Sequence, residues 1–266
     1  MSLYLSEPTG IAARLLDSCL YSPAIPRVFL SIEKVGCSSL KRWLIGMTEP
    51  ATLSRPSLRI HPYARERFSL SRLPAQEAAD ILASTPILAF VRDPIDRLRS
   101  GFIEKFVYVS SDELIPPARD LLAFAGQPPS RGLSFREFVR FVGTQRPERL
   151  DPHWRPQHAF FEGLPLRNLS IMPLERMNEV LYSIACEHDR PDCLTPALNI
   201  TDKTPARRGI LADMLSSDLY REQLRPPREE LVDDDIVSLV REKFAPDFAL
   251  HADACGRALA GSFASP

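Results

Sequence analysis

The sequence predicts an α/β fold in which helices flank a mostly parallel sheet. Short apolar runs alternate with stretches of helical spacing, and the first two confident runs each end at a cationic, turn-forming segment. Proline is abundant, 25 in 266 residues, which favours short, punctuated helices.

Taken in order, residues 11–20 have helical spacing. RVFLSI (27–32) is a short apolar run before a loop, the pattern of a buried strand. A helix over 38–46 follows, with Leu40, Trp43 and Leu44 at helical spacing and Ser38 or Ser39 as caps. Residues 48–73, rich in Pro, Ser and Arg, read as irregular. A helix at 74–83 leads into PILAFV (86–91), a second buried strand, and Pro94 opens a helix to about Val107. Residues 110–132 read as a loop-rich insertion, 134–142 as a helix and DPHWRPQ as irregular. LSIM (169–172) is a third strand, backed by a helix over 173–186, and helices near 205–215 and 233–244 close the chain. In open α/β sheets, ligands sit beyond the carboxyl ends of strands. Both motifs described next fall there.

The first motif, SIEKVGCSSLKRWL (31–44), places a lysine and small residues between strand and helix. Backbone N–H groups from Gly36 to Leu40, the positive end of the helix dipole, the Ser38 and Ser39 hydroxyls and Lys34 together suit an anion. It is not a Walker loop, since GxxxxGK[ST] is absent. The second, FVRDPIDRLRSGFIEKF (90–106), sets Arg92 at a strand end with Arg99 and Ser100 two helical turns on. Arginine there can fork onto a phosphate. Each motif alone also fits an ordinary capped or solvated helix start. The pair suits a ligand phosphorylated at both ends.

Composition narrows the classes. With 33 Lys and Arg against 34 Asp and Glu, the net charge of -1 argues against a general nucleic-acid or membrane binder. Five cysteines without CxxC spacing argue against a disulfide framework and a zinc site. No signal peptide or membrane span is read, so a cytoplasmic location is expected.

At these motifs the chain resembles the carbohydrate sulfotransferase superfamily, near the Golgi 4-O- and uronyl 2-O-sulfotransferases. HWRPQ (153–157), IMPLERMNEVLYSI (171–184), NITDKTP (199–205) and KFAPDFAL (243–250) also match family segments. The resemblance covers roughly residues 27–250 and implies a single P-loop-like three-layer domain over 1–266. It further implies a donor, 3′-phosphoadenosine-5′-phosphosulfate (PAPS), with no metal. Carried over, Lys34, Gly36, Cys37, Ser38, Ser39 and Leu40 line the 5′-phosphosulfate site. Arg92 and Ser100 line the 3′-phosphate site, with Thr201 and Lys203 as weaker donor contacts. The acceptor implied is a saccharide or glycolipid hydroxyl. Glu33 departs from the family, which carries proline there. The missing anchor and lumenal cysteines imply a soluble relative.

Sulfuryl transfer calls for positioning and charge stabilisation more than covalent help. Lys34 is expected to stabilise the bridging oxygen as charge grows on it. Histidine is the default base for the acceptor hydroxyl. His61, in RIHPYARERF, resembles the catalytic histidine segment of 2-O-sulfotransferases; His153 and Glu33 stay open as alternatives. Trp154 reads as core rather than a sugar platform. A kinase-like phosphotransferase and a non-catalytic nucleotide or glycan binder are the rival classes.

Overall fold

The computed structural model describes residues 15–110, 113–193 and 209–259. Its sheet has four strands, β1 (Cys19–Ser22), β2 (Ile25–Leu30), β3 (Ile87–Val91) and β4 (Leu169–Pro173), lying side by side in that order. β1 is antiparallel to β2, whereas β2–β3 and β3–β4 are parallel. The fold class is therefore the mixed, mostly parallel α/β arrangement that the sequence predicts.

The helices are α1 (Cys37–Thr48), α2 (Ile60–Phe68), α3 (Ala75–Ser84), α4 (Pro94–Phe102), α5 (Pro116–Phe124), α6 (Phe135–Thr144), α7 (Met177–Glu187), α8 (Ser216–Arg221), α9 (Arg228–Leu231) and α10 (Asp234–Leu259). The described residues fall into two compact units: 15–92, 157–193 and 250–259 in the first, and 93–110, 113–156 and 209–249 in the second.

The first unit is built on the sheet. β3 reads ILAFV and is buried at every position, as a parallel strand covered on both faces must be. α1 buries Leu40, Trp43 and Leu44, the three residues whose spacing predicts it, and Trp43 meets Phe29 of β2 edge-on at 5.4 Å. Leu30 pairs with Ala89, and Val91 with Pro173. The carboxyl ends of β2 and β3 therefore lie beside each other, which sets Arg92 beside the turn that follows β2.

The second unit has a separate core, in which Phe102, Phe106, Phe135, Phe138 and Trp154 form a ring-to-ring cluster. α6 starts at a capping box: Ser134 accepts from the Glu137 backbone and Glu137 accepts from the Ser134 N–H.

Several elements differ from expectation. Of the helix expected over 11–20, residues 11–14 lie outside the described residues, 15–18 are helical, and at Cys19 the chain turns to β1, because Cys19–Tyr21 find partners in Val28–Leu30; pairing across the sheet overrides local spacing. The stretch 48–73 is not irregular. It contains α2, whose only buried residues are Ala64 and Phe68, too sparse an apolar pattern to read from sequence. α5 forms inside the expected loop-rich insertion. The helix from Pro94 stops as an α-helix at Phe102 and continues as a π-turn over Ile103–Val107. Of the helix expected near 205–215, residues 205–208 lie outside the described residues, 209–213 are turns and Leu215 bridges to Ser134, with α8 following. The last helix runs past 244 to Leu259 with a break at Phe244 (φ -111°, ψ 22°), two residues before Pro246.

Candidate active site

The segment leaving β2 makes a tight concave turn. Lys34 (φ 64°) and Gly36 (φ 67°) are both left-handed, on either side of Val35. The Val35 N–H between them donates to the Ile32 carbonyl at 3.2 Å, so the turn is closed on itself and delivers the chain to the exposed N–H groups at the start of α1, a geometry that suits anions. Gly36 suits the position: a Cβ there would lie 2.8 Å from the end of the Met177 side chain and 2.9 Å from Leu174. It is also the N-cap of α1 and offers no side-chain cap. The first-turn N–H groups of Cys37, Ser38 and Ser39 therefore face out of the helix start, where the dipole is positive. Leu40 needs correction. Its N–H donates to the Gly36 carbonyl at 2.9 Å and its side chain is buried, so neither can reach a ligand.

Arg92 follows β3 directly, and its guanidinium Nη1 donates to the Lys34 carbonyl at 3.3 Å. The two cationic residues, 58 positions apart in sequence, thus meet at one strand-end edge. A clamp that the sequence did not reveal fixes this position. The Arg92 N–H donates to Gln157 Oε1 at 2.9 Å, and Gln157 Nε2 donates back to the Arg92 carbonyl at 2.8 Å. Gln157 is wholly buried. It is the last residue of the HWRPQ segment, whose match to family sequence was the one available signal.

His61 stands at the second position of α2. Its Nε2 lies 2.9 Å from Ser38 Oγ and its Nδ1 lies 3.2 Å from Lys41 Nζ. Ser38 and Lys41 are three apart on α1 and so share a face. The imidazole lies across that face, one hydrogen bond from the first turn of α1. α2 is held there by Glu49, which caps the end of α1 and accepts from the Tyr63 hydroxyl and from Arg67 Nε. Those two contacts, Tyr63 foremost, hold the Glu49 carboxyl below its usual range.

The other residues singled out from the sequence sort clearly. Ser100 is half-buried on α4, in the second unit. Arg97 and Arg99, neighbours on the same helix, are buried and brace backbone: Arg97 donates to the Arg155 and Pro152 carbonyls at 2.6 and 2.7 Å, and Arg99 Nε to Pro226 at 3.1 Å. Arg155 in turn donates to the Leu150 carbonyl, bracing its loop, and Trp154 is core. His153 Nδ1 lies 2.5 Å from Asp151 Oδ1, also within the second unit. Burial pushes the Asp151 carboxyl up, but the His153 contacts outweigh it and hold the group below its ordinary value. Thr201 and Lys203 lie outside the described residues.

Comparison with known proteins shows the family of the chain. A family model described as "Sulfotransferase family" matches residues 19–250. The chain belongs to the sulfotransferase family. Among similar proteins, carbohydrate sulfotransferase 14 of Mus musculus is 29% identical over 255 residues, spanning 92% of this chain and 62% of the relative. The Homo sapiens protein of the same name is 28% identical over the same shares. Carbohydrate sulfotransferase 10 of Pongo abelii is 27% identical over 191 residues, 68% of this chain and 51% of that one. This family member thus spans about three-fifths of the length of the first curated relatives it matches. No solved structure gives a significant match.

Proposed function

We propose that the chain transfers a sulfuryl group from PAPS to a hydroxyl of a carbohydrate or glycoconjugate. The observation that supports this most is the meeting of Lys34 and Arg92 at neighbouring strand ends, with the left-handed turn at Lys34 and Gly36 beside them. The names of the relatives favour a saccharide acceptor.

In this reading the turn over Lys34–Gly36 and the N–H groups of Cys37, Ser38 and Ser39 hold the 5′-phosphosulfate. Arg92 takes the 3′-phosphate. Ser100, Thr201 and Lys203 are further donor contacts proposed from the motif likeness alone. The acceptor oxygen attacks sulfur in line, the S–O bond to the 5′-phosphate breaks, and adenosine 3′,5′-bisphosphate leaves. Lys34 meets the negative charge that grows on the bridging oxygen. His61 takes the proton of the acceptor hydroxyl, a role supported by its hydrogen bond to Ser38 of the turn. The Asp151–His153 pair supports a second reading of the base, since a carboxylate on Nδ1 leaves Nε2 basic. A cytoplasmic compartment is proposed on the strength of five cysteines that form no disulfide.

Two measurements test the proposal. Adenosine 3′,5′-bisphosphate should raise the melting temperature while ATP with magnesium should not. Labelled PAPS, offered with a panel of neutral and uronate-containing oligosaccharides, should yield a labelled sugar. Stabilisation by ATP with magnesium alone would point to a phosphotransferase. Bisphosphate binding without labelled product across the panel would point to a non-catalytic binder.

A further inference from the structure

His61 has one ring nitrogen toward Ser38 and the other toward Lys41, and the chemistry of the two neighbours is unequal. A hydroxyl can donate or accept. An ammonium has three N–H donors and no lone pair, so it can only donate. The contact of Lys41 Nζ with His61 Nδ1 at 3.2 Å therefore requires a lone pair on Nδ1. A neutral imidazole with a lone pair on Nδ1 carries its proton on Nε2. That proton faces Ser38 Oγ, 2.9 Å away, and is donated to it.

We infer that Lys41 is a positioning residue that selects the Nε2–H tautomer of His61 and so assigns Nδ1 as its basic atom. The inference deepens the proposed role of His61 as base and rests on that reading. Three features of the fold make the selection firm. Lys41 is only 9% exposed, so its stem is packed along α1 rather than free in solvent. Ser38 is fixed in the first turn of the same helix, three residues away. Phe68, Ala64 and the Glu49 contacts anchor α2, which carries the ring.

The division of labour follows the usual logic of an oriented base, in which one nitrogen is held and the other reacts. Ser38 holds the Nε2–H edge. Lys41 keeps the proton off Nδ1 in the resting ring, because an ammonium N–H aimed at that lone pair leaves no place for a second hydrogen. A hydroxyl that gives up its proton takes the place of the ammonium on Nδ1, so that the cation is displaced before the imidazolium forms, while the Ser38 bond keeps the ring in place. Proton balance is simple: the acceptor O–H proton moves to Nδ1, and the oxygen's electron pair forms the new bond to sulfur.

The test combines a tautomer readout with kinetics, on the full chain. Long-range ¹H–¹⁵N correlation spectra, with the His61 signals identified by His61→Asn, report which ring nitrogen carries the proton. The wild type should show Nδ1 unprotonated. Lys41→Met, close in shape, should give a mixture of tautomers, whereas Lys41→Arg, which still donates, should restore the wild-type signature. With labelled PAPS and the best oligosaccharide of the panel, Lys41→Met should lose about three- to tenfold in kcat with the KM for PAPS within about twofold, and Lys41→Arg should recover most of it. A wild-type ring protonated on Nδ1 overturns the inference, as does full kcat in Lys41→Met. The spectra need no turnover, so an inactive chain whose His61 tautomer follows Lys41 would refute the sulfotransferase reading and leave the Lys41–His61 link standing.

Discussion

Arg92 donates through its guanidinium to the backbone carbonyl of Lys34, joining the end of β3 to the turn that follows β2. Both residues are half-buried, and the backbone of Arg92 is held by the buried Gln157 amide. Register makes this possible: with Leu30 opposite Ala89, the two strands end side by side.

The clamp on Arg92 should matter for stability and for binding. Gln157→Leu strands two backbone groups of Arg92 and should cost roughly 1–3 kcal/mol for each one left buried. Urea denaturation should show the loss, and the variant should bind adenosine 3′,5′-bisphosphate more weakly. Unchanged stability would show that the amide contributes nothing net.

Gly36→Ala should be damaging for two reasons. A side chain at a φ of 67° is strained, and its Cβ would press on Met177 and Leu174. Together these should lower stability by roughly 1–3 kcal/mol, seen as a lower melting temperature, and should abolish stabilisation by the bisphosphate. A variant that melts and binds like the wild type would mean the turn relaxes freely.

His61→Ala should reduce turnover by about 10²–10⁴-fold with donor affinity largely kept. His153→Ala should have a much smaller effect on turnover. The opposite pattern in folded variants would transfer the role of base to the Asp151–His153 pair.

Acid should destabilise the chain in a defined direction. Glu49 is held low by Tyr63 and Arg67, Glu137 by Arg131, Asp233 by Arg136, and Asp151, against the upward push of burial, by His153. Each folded value lies below the unfolded one. Their stabilisation is therefore complete above the unfolded carboxylate range, about pH 4, and is lost as pH falls through the lower folded values. Urea midpoints measured from pH 7 to pH 3 should fall over that acid limb, and Glu49→Gln should flatten part of the decline. A midpoint independent of pH across this window would contradict the assigned contacts.

Much of this was legible in the sequence because it is local. RVFLSI and PILAFV announce buried strands, Leu40–Leu44 announces α1, and the turn chemistry of Lys34–Gly36 sits between them in one short stretch. What stayed hidden depends on residues far apart in the chain. β1 exists because β2 accepts it, not because CLYS has strong alternation. α2 is too polar to display a core face, so the helix that carries His61 reads as loop. Lys41 looks like any helix-surface lysine until α2 packs across it, and Gln157 looks like loop until it closes on Arg92, 65 residues away. Leu40 was placed in the site for its position in the motif, but helix geometry commits its N–H to Gly36.

The most direct test is calorimetric titration of adenosine 3′,5′-bisphosphate into the wild type and into Arg92→Ala. The wild type should bind, and the variant, still folded, should lose about 10- to 150-fold in affinity, equivalent to about 1.5–3 kcal/mol for a charge-assisted contact. Equal affinity in the two proteins would remove Arg92 from the nucleotide site and with it the pairing of the two strand ends.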